Sequence, residues 1–177
     1  MKDVVELVHD PQGKDATPYV QSMAFFRATR LADIARAQAA ADEKTGSKAT
    51  FEQALSEARR MPDPPSGKDD GAYSKSLAFY AIAGAQARAG FLKEAYQTAD
   101  AIRMITGGSP QPGGVRGFSQ VAALIEIAQV QGAAAETHEA LTWINTLKEP
   151  ATKAYALLGL AKGLLERAGA EPPEEER

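Results

Sequence analysis

Apolar residues recur along this chain at i, i+3, i+4 and i+7, a spacing that places them on one face of an α-helix. The pattern occurs four times, and a glutamine ends each of the first three occurrences. The four sets are Leu31, Ile34, Ala35 and Gln38; Phe79, Ile82, Ala83 and Gln86; Leu124, Ile127, Ala128 and Gln131; and Leu157, Leu160, Ala161 and Leu164. Their first members lie 48, 45 and 33 residues apart, and the last separation equals the period of a two-helix repeat. The sequence therefore predicts four equivalent helices, which we call the leading helices.

A second amphipathic segment follows each of the first three stripes, which predicts that each unit is a helical hairpin. Its apolar positions are Phe51, Ala54, Leu55 and Ala58; Leu92, Ala95, Ala99 and Ile102; and Ala140, Leu141, Ile144 and Leu147. The turns inside the hairpins are predicted at 42–47, at 89–90 and at Gly132, where residues that cap or end helices occur. Between the units, residues 61–71 and 106–117 are rich in proline and glycine, which cannot continue a helix.

No segment of useful length alternates strictly between apolar and polar residues, so no strand is predicted. We expect an all-α fold of about seven main helices, which are three helical hairpins and a terminal helix over residues 151–168. The first leading helix is expected over residues 17–41, about two turns longer than the others. A further short helix is expected over residues 3–9.

The repeat resembles the tetratricopeptide repeat (TPR). That family favours a large residue, Leu-Gly and an aromatic in the first helix, a small residue at the turn, and Ala, Phe and Ala in the second helix. Matching offsets hold Phe79, Ile82, Ala83, Gln86, Gly90, Ala95, Ala99 and Ile102 in the second unit, and Leu31, Ile34, Ala35, Gln38, Phe51 and Ala54 in the first. Alanine stands where the family has its first-helix glycine, and glutamine or leucine stands where it has its aromatic. A related helical-hairpin solenoid is the alternative.

The TPR-like resemblance covers residues 17–169 and implies a right-handed α-α superhelix, a solenoid of three hairpins and a terminal helix. Residues 1–169 are accordingly expected to form a single repeat domain. The acidic, proline-containing residues 170–177 are expected to form a flexible, solvated tail, and a docking motif there is the alternative.

Composition narrows the classes of function. The chain carries 23 acidic and 20 basic residues, for a formal net charge of -3, so no basic field favours a nucleic-acid partner. Cysteine is absent, which excludes disulfides and thiolate sites. No apolar run reaches the roughly 18 to 20 residues that a membrane span needs, and residues 1–8 are apolar over too short a stretch for a signal peptide. A cytoplasmic location is expected.

Residues that could carry chemistry are few. His9 and His138 have no ligand neighbour at metal-binding spacing, so surface histidines are the preferred interpretation and no metal site is predicted. The glycines at 113–117 and at 67 could cradle a phosphate, but neither segment follows a strand, and a flexible loop explains both. No Gly-x-Ser-x-Gly motif occurs. We therefore expect no cofactor and no enzymatic activity.

The leading functional hypothesis is a scaffold that binds a peptide or protein through the concave side of the superhelix, as repeat solenoids do. The groove offsets of the resembled family point to seven residues, Arg36, Tyr80, Arg88, Glu126, Gln129, Tyr155 and Lys162. Three of these are cationic although the chain is acidic, which favours a partner with carboxylates. The alternative for these charges is solvated helix surface. Alternative functions are a self-assembly or structural module of a larger complex and, third, an enzyme-associated domain.

Two further expectations concern packing. The glutamines Gln38, Gln86 and Gln131 lie on the apolar face, and a buried amide needs hydrogen-bond partners, which we expect on adjacent helices. The last helix is apolar over more than one stripe and has no second helix after it, so another chain or a further segment is expected to cover Leu158 and Leu165. A homo-oligomer formed through this helix would satisfy that expectation.

Overall fold

The computed structural model describes residues 18–61, 70–105 and 115–169, and all regular structure in these residues is helical. Its seven helices are α1 (Pro18–Ala40), α2 (Lys44–Arg60), α3 (Asp70–Arg88), α4 (Leu92–Ile105), α5 (Val115–Ala133), α6 (Thr137–Thr146) and α7 (Pro150–Arg167). The all-α prediction is confirmed for this part of the chain. The helix predicted over residues 3–9, the tail over 170–177 and most of the two Pro/Gly-rich segments lie outside the described residues.

Helices that follow one another in sequence pack together, and the resulting pairs pack side by side. The pairs α1 with α2, α3 with α4 and α5 with α6 are the three predicted hairpins. The leading helices α1, α3, α5 and α7 also contact one another in that order, and the contact between α5 and α7 is the most extensive. Each second helix, α2, α4 or α6, contacts the leading helix of the next unit as well. The described chain thus consists of helices packed in sequential pairs, with one core cluster across α1 to α5 and a second where α5, α6 and α7 meet.

The core between the helices is built mainly from alanine, with isoleucine, leucine and phenylalanine as its larger side chains. Ile82, Ile102, Ile127 and Ile144 are fully buried, one on each helix from α3 to α6. Phe51 of α2 and Phe91 pack in a T-shaped arrangement, with the ring centroids 5.7 Å apart, and so join the first two units. Alanines fill many of the remaining buried positions, because their small side chains let helix axes approach closely.

Each hairpin turn ends its leading helix in the same way. A residue with positive φ follows the helix, and these residues are Asp42, Gly90 and Ala135. The backbone N–H of the next residue then donates to the carbonyl of the repeated glutamine, over 2.9 Å in all three turns. The pairs are Glu43 with Gln38, Phe91 with Gln86 and Glu136 with Gln131. This bond satisfies a carbonyl at the helix C-terminus, so the glutamine marks the end of every leading helix that turns into a hairpin.

The third turn lies beyond the predicted position. Gly132 is still within α5, which continues to Ala133, and the turn is formed around Ala135. The first turn is shorter than predicted, because α2 begins at Lys44 and already includes Ser47. The hydroxyl of Ser47 donates to the carbonyl of Ala35 at 2.7 Å and ties the two helices of the hairpin together.

The amides of the three glutamines all have hydrogen-bond partners on second helices, which confirms the prediction made for them. In the first two units the donor is a threonine hydroxyl twelve residues further on, Thr50 to Gln38 at 2.7 Å and Thr98 to Gln86 at 2.8 Å. In the third unit Tyr96, from the preceding hairpin, donates to Gln131 at 2.7 Å. The glutamine side chains therefore connect neighbouring helices, and those of Gln86 and Gln131 do so at buried positions.

Gln86→Leu is expected to lower the free energy of unfolding by about 1 to 3 kcal/mol, because it leaves the buried Thr98 hydroxyl without its acceptor. Adding Thr98→Val removes the stranded donor, so the double variant should be more stable than the sum of the two single changes implies. Urea denaturation of the four proteins measures this coupling. Strict additivity would show that the pair contributes nothing.

The last leading helix buries a different stripe from the predicted one. Its buried residues are Ala156, Gly159, Leu160 and Gly163, whereas Leu157 and Ala161 of the predicted stripe are exposed. The glycines explain the difference, because a Cβ added to Gly159 would overlap the carbonyl oxygen of Ile125 in α5. At Gly163 the same addition would overlap the carbonyl oxygen of Gln129. α5 and α7 therefore pack backbone against backbone, which only the glycine face of α7 permits.

Two other predicted apolar positions are exposed. Ile34 of α1 is 52% exposed, because no leading helix precedes α1 in the described chain to cover this side. Leu141 of α6 is also exposed, and the partly buried Trp143 packs into the core on that helix in its place. Leu158 and Leu165 of α7 are exposed as well, so the covering chain or segment expected over them remains a prediction.

Candidate interaction surface on the leading helices

All seven residues predicted for the partner-binding surface lie on leading helices. Arg36 is on α1, Tyr80 and Arg88 are on α3, Glu126 and Gln129 are on α5, and Tyr155 and Lys162 are on α7. The exposed members of this set are Arg36, Arg88, Tyr155 and Lys162, whereas the other three are partly buried. We call these seven residues the leading-helix surface.

Three members of the leading-helix surface come together where α3 meets α5. Tyr80 and Arg88 lie eight residues apart on one face of α3, with Gly84 midway between them, and Glu126 of α5 reaches across to this face. Glu126 forms an ion pair of 2.6 Å with Arg88 and lies near enough to Tyr80 to raise the pKa of its hydroxyl. Gly84 makes the arrangement possible, because a Cβ there would occupy the position of the Glu126 carboxylate.

The charges of this cluster satisfy one another. The Glu126 side chain is only 15% exposed, and its partner Arg88 is half exposed. Burial raises the pKa of Tyr80, and the charge of Glu126 and its hydrogen bond raise it further, against an opposing effect of Arg88. Tyr80 is therefore a neutral hydrogen-bond donor at neutral pH. Arg88 is paired with Glu126, so the exposed cations of the leading-helix surface that lie outside this cluster are Arg36 and Lys162.

A second polar contact joins α5 to α7. The Gln129 amide donates to the Glu166 carboxylate over 2.6 Å, at an exposed position. Sequence reasoning did not select Glu166 or Gly84, although the stripe spacing contains the signal for both. Glu166 occupies the repeat position of Arg88, and Gly84 occupies that of Arg36, Gln129 and Lys162. A glycine at a position that is otherwise cationic or polar indicates that a neighbour fills the space.

The second helices carry an aromatic pair that the sequence pattern also did not indicate. Tyr96 of α4 stacks on Trp143 of α6, with ring centroids 4.2 Å apart and an angle of 19° between the rings. Trp143 is the only tryptophan in the chain, and Tyr96 is the residue that donates to Gln131. The pair connects the second hairpin to the third, and it provides a fluorescent reporter of that contact.

The Tyr96 hydroxyl should make the stability of the protein depend on pH in the alkaline range. Burial raises the pKa of Tyr96 to about 12 from an ordinary value of 10.0, with the charge of Glu136 adding to the rise. The unfolded chain therefore releases this proton near pH 10 while the folded chain keeps it, so the contribution to stability is complete below pH 10 and is lost as the pH approaches 12. Tyr96→Phe removes this titration.

The measurement is the free energy of unfolding between pH 9 and 12 for both proteins, with Trp143 emission as the signal. The wild type should lose stability more steeply than Tyr96→Phe across the interval from pH 10 to about 12. Parallel curves would mean that the hydroxyl titrates normally in the folded state.

Chemistry of other kinds has few residues to support it. Within residues 18–61, 70–105 and 115–169, no group of three or more His, Cys, Asp or Glu side chains could hold a metal ion. The helices of the same ranges include none that is long and apolar enough to cross a membrane.

Comparison with known proteins does not assign the chain to a family. No family model matches the sequence, and neither curated proteins nor solved structures give a significant match. The function must therefore be argued from the surface itself.

Proposed function

We propose that this protein is a non-enzymatic scaffold that binds a peptide or protein segment carrying carboxylates on its leading-helix surface. The observation that supports the proposal is the pair of exposed cations at one repeat position, Arg36 on α1 and Lys162 on α7. They lie at opposite ends of a row of contacting helices, on a chain with a net charge of -3. Between them the Glu126 cluster is neutral overall, so acidic groups are favoured at the two ends of a bound segment.

The surface has the dimensions of a peptide site. Packed helices lie roughly 8 to 10 Å apart, so three steps from α1 to α7 cover roughly 25 to 30 Å. An extended peptide of about eight or nine residues spans this distance. Tyr155, which is exposed on α7 seven residues before Lys162, offers an aromatic anchor beside one of the two cations. A segment with an acidic residue near each end and an apolar residue beside one of them fits this arrangement.

The double variant Arg36→Glu with Lys162→Glu tests the proposal. The probe is an acidic peptide selected from a random displayed library, and its affinity for the double variant should fall by about tenfold or more. The remaining affinity should depend less on salt than that of the wild type, because two attractive charges have been removed. Arg88 is not part of this test, because its reversal would set two carboxylates against each other at Glu126.

The matched control reverses two exposed cations on second helices, Arg59→Glu on α2 and Lys93→Glu on α4. It changes the net charge by the same amount and leaves the leading-helix surface intact, so the affinity should change less than threefold or so. Equal losses in the two double variants would show that net charge, and no particular surface, attracts the peptide. A selected peptide population without enrichment of Asp and Glu would also count against the proposal.

Self-assembly is the second candidate function, and the exposed leucines of α7 favour it.

A further inference from the structure

The second position of the apolar stripe is buried on α3, α5 and α7 but exposed on α1. Ile82 on α3, Ile127 on α5 and Leu160 on α7 occupy this position, and each is buried on a helix that packs against the preceding leading helix. The corresponding residue of α1 is Ile34, which is 52% exposed. We call the side of a leading helix that carries this position its trailing face. The trailing face of α1 therefore has the residue type of an inter-helix contact but no helix against it in the described chain.

Other apolar side chains extend the trailing face of α1. Met23 and Phe26 are exposed on the same helix, eleven and eight residues before Ile34, which is three and two helical turns. A cleft of about 540 Å³ runs between α1 and α2, and Leu31 and Ile34 line it together with polar and charged side chains of both helices. Exposed apolar side chains beside an open cleft are the features of a surface that receives another helix.

The opposite end of the protein exposes the complementary side of a leading helix. In α5, this side carries Ile125, Gln129 and Gly132, which lie against the backbone of α7. The residues 33 positions later in α7 are Leu158, Lys162 and Leu165. Leu158 is 60% exposed and Leu165 is 49% exposed. We call this side the leading face. On α7 it presents Leu158 and Leu165 to solvent, at the repeat positions that Ile125 and Gly132 occupy where α5 packs on α7.

Charge also matches between the two ends. On α1, Asp33 occupies the repeat position that Glu126 occupies on α5. Glu126 lies over Gly84 of the preceding leading helix, and the residue of α7 at the position of Gly84 is Lys162. If α1 of a second copy packed on α7 as α5 packs on α3, Asp33 would therefore face Lys162. Opposite charges at this point favour the contact and fix its register.

Pairing of two α7 helices is less favourable by the same reasoning. An antiparallel two-fold contact that sets Leu158 against Leu165 of the other copy places its axis next to Lys162. The two ammonium groups would then face each other, which opposes association. The charges favour α1, and not another α7, as the helix that covers the leading face of α7.

We infer that copies of this chain associate head to tail, with the trailing face of α1 of one copy packed on the leading face of α7 of the next. The interface is heterologous, so each dimer keeps one free face of each kind and can add further copies. This self-association does not rest on the carboxylate-binding function proposed above, but both use Lys162, so an acidic segment and a second copy would compete for α7. It sets a helix against the exposed side of α7 and covers Ile34, Leu158 and Leu165 together.

The test uses one variant for each end, Ile34→Arg for α1 and Leu158→Arg for α7. Both side chains are largely exposed, so the single variants should fold like the wild type, as circular dichroism can verify. In sedimentation velocity the wild type should grow with concentration beyond the dimer, whereas each variant alone should stay monomeric. A mixture of the two variants should form a one-to-one dimer and nothing larger, because one good face of each kind remains.

Each alternative predicts a different result and would overturn the inference. Dimers of Ile34→Arg alone would show that α7 pairs with α7, and dimers of Leu158→Arg alone would show that α1 pairs with α1. A wild type that remains monomeric up to about millimolar concentration would show that the exposed faces do not associate.

A charge exchange tests the register. Asp33→Lys or Lys162→Asp alone should weaken the association by about tenfold, and the two changes together in one chain should restore it to within about threefold. Arg30 contacts Asp33 at 3.6 Å on α1, but both side chains are more than half exposed, so this pair contributes little within the monomer. If the double exchange is weaker than either single change, Asp33 does not face Lys162.

Discussion

Gly159→Ala should lower the free energy of unfolding by about 3 kcal/mol, although alanine is the better helix former by about 1 kcal/mol. The added methyl group would overlap the backbone of Ile125, and backbone atoms of a packed helix cannot move aside as the end of a side chain can. Gly163→Ala should act in the same way against Gln129. Either change must push α7 away from α5 and open the most extensive contact between leading helices. Urea denaturation followed by circular dichroism measures the loss.

Gly46→Ala is the matched control for this prediction. Gly46 also lies within a helix, but an added Cβ would meet only the ends of flexible side chains, Gln38 at 3.2 Å and Glu43 at 3.9 Å. The helix-propensity gain and these minor contacts should leave stability within about 1 kcal/mol of the wild type. If Gly159→Ala changed the free energy of unfolding as little as Gly46→Ala, α5 and α7 would not approach each other as closely as the structure shows.

Ile127→Ala should destabilise the protein by about 2 to 5 kcal/mol, whereas Ile34→Ala should change stability by less than about 0.5 kcal/mol. The two isoleucines occupy the same repeat position and differ only in their surroundings. Ile127 is fully buried between leading helices, so its truncation leaves a cavity, whereas Ile34 is half exposed on α1. Because the residue type and the position in the helix are the same, the difference between the two losses of stability measures the effect of the surroundings.

Denaturation of both variants at a concentration where the chain is monomeric makes the comparison. Similar losses of stability in Ile127→Ala and Ile34→Ala would mean that the trailing face of α1 is covered in the monomer. An effect at Ile34 that appears only at high concentration would instead agree with head-to-tail association.

The hydrophobic stripes predict the helical class and the hairpin order well, because a helix in a row of hairpins must bury one face against its neighbours. They fail at the last helix for a physical reason. Leu157 is large and apolar, so periodicity assigns it to the core, yet Gly159 and Gly163 determine the packing because they let two backbones touch. A hydrophobic pattern predicts burial for large apolar side chains. It cannot predict a contact between two backbones, which depends on the absence of a side chain. The same limit applies to Gly132, which looks like a turn residue and instead lies within α5 against α7.

For the leading-helix surface, the sequence places residues on the correct helices but does not pair them. Tyr80, Arg88 and Glu126 were each selected by repeat position, and their mutual contact depends on the space above Gly84. The offset between neighbouring helices decides which positions meet, and periodicity along one helix contains no information about that offset. The stack of Tyr96 on Trp143 was missed for the same reason, because it joins two second helices from different hairpins.

The most direct test of the proposed function is to map the binding site of the selected acidic peptide by nuclear magnetic resonance, at a concentration where the chain is monomeric. If the leading-helix surface binds the peptide, the backbone amides that shift should lie on α1, α3, α5 and α7, with the largest changes near Arg36 and Lys162. Trp143 and the exposed residues of α2 and α4 should not respond. Shifts concentrated on the second helices, or spread evenly over all seven helices of the described chain, would contradict the proposal.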